Sequence, residues 1–119
     1  MARATEPGDG RVMSEGEYEE ALAFIEGTKA VMAEAEAALG SEVSRPEAEA
    51  RRDDLAQRLD MLRRLMTAAA QRDRIGARGL VTPERKRARD VIQRAGEIED
   101  RLQDLWTAWS QRARGEVVN

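Results

Sequence analysis

The sequence predicts an all-α protein, an up-down-up bundle of three coiled-coil-like helices with a flexible N-terminal tail. Three observations predict it. Three segments repeat apolar residues at three- and four-residue spacing, the signature of amphipathic helices. Each segment opens on a side-chain cap, at Ser14, Ser44 and Thr82. Pro7, Pro46 and Pro83 all fall outside helix interiors, and no alternating β-branched run competes.

Residues 1–13 hold Pro7, Gly8 and Gly10 with little apolar content, as in a mobile tail. The first helix is expected over about 14–39. Ser14 and Glu17 fit a capping box, in which the N-cap hydroxyl and a carboxylate three residues on satisfy each other's backbone N–H groups. Tyr18, Ala21/Leu22, Ile25, Met32, Ala35 and Leu39 form its seam, widened by Phe24, Val31 and Ala38. Gly40 is placed to end it in a left-handed conformation.

The second helix is expected over about 45–75. Ser44 and Glu47 repeat the capping box, and Pro46 sits in the first turn, where its missing N–H is harmless. Its stripe is Leu55, Leu59, Leu62, Met66 and Ala69, flanked by Met61 and Leu65. The third helix, over about 82–114, opens at Thr82-Pro83. Its seam is Ala88, Val91, Ala95, Ile98, Leu102, Leu105 and Trp109, with Ile92 and Trp106 alongside. Residues 14–115 then form one domain, with 116–119 as a second tail. Helices of similar length joined by short connections favour antiparallel neighbours; the alternative is an elongated hairpin whose third helix pairs with another chain. Acid-before-base pairs at i,i+4 (Glu47/Arg51, Asp54/Arg58, Asp60/Arg64, Asp90/Arg94, Glu97/Arg101) describe solvated helix faces.

Composition limits the chemistry. The chain has 119 residues, no cysteine and no histidine. Disulfides, thiolate metal sites, histidine ligands and the commonest general base are thereby removed. The serines read as caps or turns, the carboxylates lie on polar faces, and Gly76 to Gly79 lacks the strand and lysine of a phosphate loop. The expectation is a non-enzyme with no cofactor and no metal. Without a signal-like start or a run of about 20 apolar residues, the chain is expected to be cytoplasmic and to have no membrane partner.

Met13 to Leu22, followed by Asp54 to Leu62, resembles the helical hairpin that precedes the DNA-binding domain of some antitoxins. The same hairpin is similar to the coiled coil of Gre-type transcript-cleavage factors, although the connection Leu39 to Ser44 lacks their acidic tip motif. Both likenesses are of helix composition, and neither assigns a role to any residue.

Charge is unevenly spread. Residues 1–50 carry 12 acids and 4 bases, and residues 51–119 carry 11 acids and 16 bases. A basic cluster surrounds the second turn: Arg72, Arg74, Arg78, Arg85, Lys86, Arg87 and Arg89. It either binds an external anion, nucleic acid first, or is neutralised by Glu15, Glu17, Glu19 and Glu20 at the same end of the bundle. A helix-turn-helix across residues 74–93 is conceivable, but the helices are longer than that motif uses. The second candidate surface is apolar. Met61, Leu65 and Trp106 widen the seams beyond what one core needs, and Trp106 with Trp109, which continues the third seam, would form an aromatic anchor if exposed; together they suggest a protein interface. The sequence therefore predicts a self-associating helical interaction or assembly module, an adaptor or a neutralising partner. The alternative is a regulator that binds nucleic-acid phosphates through the basic end.

Overall fold

A computed structural model of the chain describes residues 12–75 and 82–115. The described residues form three helices, α1 (Glu15–Ala38), α2 (Arg45–Ile75) and α3 (Pro83–Ala113), with no strand among them.

The caps form at the predicted starts, as a complete capping box at Ser14 but at Ser44 through the hydroxyl bond without the return bond from the Glu47 carboxylate, which pairs with Arg51 instead. The Ser14 hydroxyl accepts from the Glu17 N–H at 3.1 Å, while the Glu17 carboxylate accepts from the Ser14 N–H at 3.0 Å. Ser44 accepts from the Glu47 N–H and Thr82 from the Arg85 N–H, both at 3.2 Å.

Two local expectations change. Gly40 does not end α1 through a left-handed turn, since among the described residues positive φ occurs at Gly115. The chain instead tightens past α1 through i→i−3 bonds, Gly40 N–H to the Ala37 carbonyl at 3.2 Å and Ser41 N–H to the Ala38 carbonyl at 3.1 Å. Arg112 of α3 then donates to the carbonyls of Leu39 and Ser41. A cation from another helix thus supplies the terminus that a glycine was expected to make. Met13, assigned by sequence to the tail, is buried at the foot of the core, and its carbonyl accepts from Arg87 at 3.2 Å. The rest of the expected tail, residues 1–11, lies outside the described residues, as do 76–81 and 116–119.

Cross-helix contacts fix the topology. Glu17 meets Arg72 and Thr28 meets Arg58, so α1 and α2 run antiparallel. Arg63 meets Glu99 and Arg45 meets the Ala113 carbonyl, so α2 and α3 do too. The outcome is an up-down-up bundle of 53 × 28 × 18 Å, whose long axis matches the about 46 Å of a 31-residue helix plus its ends.

The three helices do not contribute equally. α2 and α3 form the principal interface, and α1 lies mainly against α3. Leu55, Leu59 and Leu62 of α2 interlock with Val91, Ile98, Leu102, Leu105 and Trp109 of α3. From α1 come Ala21, Ile25, Thr28, Met32 and Ala35, mostly small side chains. The contact between α1 and α2 is the least extensive of the three.

Candidate functional site

The thin contact between α1 and α2 has a cause in the sequence. Arg51, Arg58, Leu65 and Arg72 follow one another at seven-residue intervals, the heptad repeat that keeps positions on one face of a helix. In an ordinary bundle all four would be apolar. Here Arg72, almost fully buried, places Nη2 2.7 Å from the Glu17 carboxylate. Arg58 lays its guanidinium 5.5 Å from the centre of the Phe24 ring and donates to the Thr28 hydroxyl at 3.3 Å. Arg51 sits 5.4 Å from the centre of the Trp109 ring. Such side chains cover apolar surface with their stems and face rings with their charge. They do not interlock as leucines would, so the seam stays partly open.

The opening is an apolar groove of about 390 Å³ lined by Phe24, Met61, Arg64 and Leu65. Met61 is 43% exposed, and among the described residues it is the exposed large hydrophobic side chain. Phe24 and Leu65 are half-buried and pack against the core. Of the four residues expected at a protein interface, the structure thus brings Met61 and Leu65 together at one flank. Trp106 is half-buried in a second groove on the other side of α2, with Ala56, Leu59, Asp60, Arg63 and Gln103. Trp109 is fully buried, flanked by Arg51 and by Arg112 at 5.5 Å, so it belongs to the core and offers no surface to a partner. It continues the α3 seam, which is why burial wins. Phe24 was the missed member of the flank; its signal was its place beside Ile25, one step off the α1 seam.

The basic end resolves into separate contacts. Asp73 accepts from Arg85 Nε at 3.0 Å and Arg89 Nε at 3.1 Å. Burial works to raise the Asp73 carboxyl, but the two guanidinium groups outweigh it and hold the group below the usual carboxylate range. Arg72 is taken by Glu17, and Arg87 by the Met13 carbonyl. Arg74 and Lys86 are exposed; Arg78 lies outside the described residues, as does the turn of the conceivable helix-turn-helix. Among the described residues, neutralisation from the first helix comes through Glu17. Glu15, Glu19 and Glu20 stay exposed, and the larger share comes from Asp73 of α2, inside the cluster, which pairs across to Arg85 and Arg89 of α3.

The predicted i,i+4 pairs divide in the same way. Glu47/Arg51, Asp60/Arg64 and Asp90/Arg94 form at 3.5, 3.0 and 2.8 Å. Arg58 turns from Asp54 into the α1 seam, and Arg101 crosses to Glu36 of α1 instead of Glu97. Among the described residues no group of three or more acidic side chains converges to hold a metal ion, and no helix is long and apolar enough to cross a membrane.

No family model, curated protein or solved structure matches the chain.

Proposed function

We propose that the protein is a non-enzymatic helical interaction module that assembles with a second copy of itself through the flank between α1 and α2. The observation that carries this reading is the solvent-facing Met61 over a groove formed with Phe24 and Leu65. Apolar surface left in water is a standing source of association free energy, roughly 25 cal/mol for each Å² covered. Methionine suits such a surface, because its flexible thioether adapts to the shape of what covers it.

A phosphate-binding role for the basic end is the competing reading. Arg72, Arg85, Arg87 and Arg89 already engage protein groups, so a phosphate would have to displace them. Tight duplex binding at about 0.15 M salt, abolished by alanine at Arg85, Lys86 and Arg87 together, would favour that role.

Peroxide footprinting tests the flank. Met61 should oxidise quickly in dilute solution and progressively more slowly as concentration rises, while buried Met13 and Met32 stay slow throughout. A Met61 oxidation rate independent of protein concentration would reject association through this flank.

A further inference from the structure

The antiparallel contacts set the levels along the flank. Glu17 meets Arg72, and Phe24 and Thr28 meet Arg58. Phe24 therefore stands close to the level of Arg64 and Leu65, and Glu20 about one turn beyond, near Ala68. Glu20 lies four residues before Phe24, on the same face of α1, and it is exposed with no ion pair among the described residues. Across the groove Arg64 has a side chain 80% exposed, and its ion pair among the described residues is with Asp60 of its own helix, at 3.0 Å. The groove thus has an unpaired acid on its α1 edge and a solvated base on its α2 edge, within one turn of the same height.

We infer that the second copy closes on this flank about a two-fold axis parallel to the helices, so that each α1 lies over the partner's α2. This rests on the self-association proposed above and names its geometry. Rotation about such an axis preserves height and exchanges left for right. Glu20 then faces the partner's Arg64, the partner's Glu20 faces Arg64, and each Met61 enters the opposite groove. An isologous contact counts every pair twice. A two-fold axis perpendicular to the helices would instead set α1 on α1. That helix holds seven acids (Glu15, Glu17, Glu19, Glu20, Glu26, Glu34, Glu36) against Lys29, so the arrangement opposes like charges. Ala23, exposed beside Phe24 on α1, is a small residue that lets a facing helix approach closely.

The test is a charge-exchange series on the full chain, read by sedimentation velocity, with circular dichroism to verify the helical fold of each variant. Glu20→Arg and Arg64→Glu should each weaken the dimer by about tenfold, because each change turns two attractions into repulsions. The double variant Glu20→Arg/Arg64→Glu should recover wild-type affinity to within about threefold. Equal mixtures of the two single variants should likewise associate more strongly than either variant alone, because the mixed dimer joins opposite charges in both pairs. A wild-type dimer left unchanged by both single reversals would overturn this geometry and leave the flank reading standing. A wild-type chain that stays monomeric would overturn both.

Discussion

The Trp109 indole N–H donates to the Ala35 carbonyl at 3.1 Å, tying α3 to α1 inside the fully buried core. Trp109 is the largest of the fully buried side chains, and α1 supplies mainly small residues around it. Trp109→Ala should therefore remove about 3–5 kcal/mol of stability. Trp109→Phe keeps much of the volume and loses the hydrogen bond, for about 1–3 kcal/mol. Urea denaturation followed by far-ultraviolet dichroism measures both.

Helix-interior glycines give the opposite sign. A Cβ at Gly27 would meet Arg58 Nη1 at 3.5 Å, and one at Gly96 would meet Met66 Cε at 3.9 Å, both ordinary contacts. Gly27→Ala and Gly96→Ala should each stabilise by about 0.5–1 kcal/mol through helix propensity. Gly115 has φ +77°, so Gly115→Ala should destabilise despite open space around it. Thermal melts of the three variants check the signs.

Arg58 occupies a position where a heptad calls for an apolar residue. Its stem and guanidinium cover Phe24, and its one hydrogen bond goes to Thr28. Arg58→Met retains the stem, so its stability should lie within about 0.5 kcal/mol of wild type. Arg58→Ala uncovers the ring and should cost about 1–2 kcal/mol. Chemical denaturation distinguishes the two outcomes.

The Tyr18 hydroxyl donates to Asp90 Oδ2 at 2.6 Å, joining α1 to α3. This bond, helped by Arg94 and opposed by burial, holds the Asp90 carboxyl below its ordinary value of 3.8. The same bond, together with burial, raises the Tyr18 hydroxyl above its ordinary 10.0. A depressed carboxyl contributes stability that is present above its unfolded pKa and lost as pH falls through the folded one, here below about pH 4. A raised phenol contributes fully below its unfolded pKa and loses that contribution as pH rises through the folded one, here above about pH 10. Tyr18→Phe should lower stability by about 1 kcal/mol at neutral pH and flatten both limbs. Denaturation midpoints across pH 3 to 11 test this.

The fold was legible because propensity, caps and apolar period agree in every helix. Ser14, Ser44 and Thr82 mark starts that the structure reproduces, and the α3 seam from Ala88 to Trp109 is buried throughout. The site was less legible because sequence periodicity assigns a face and not a partner. Arg58 and Arg101 read as solvated partners of Asp54 and Glu97, yet both cross to α1. Long cationic side chains reach several neighbours, and tertiary packing chooses among them. Trp106 and Trp109 lie three residues apart, but that step leaves Trp106 half-buried and Trp109 without exposure.

Sedimentation equilibrium of the wild-type chain beside Met61→Glu tests the central claim most directly. A charge on the exposed Met61 leaves the core of Leu55, Leu62 and Leu102 untouched, so both proteins should remain helical. The account predicts a concentration-dependent dimer for the wild type in the micromolar range and a monomer for Met61→Glu. A wild-type monomer at every concentration, or a dimer equally strong in both proteins, would contradict it.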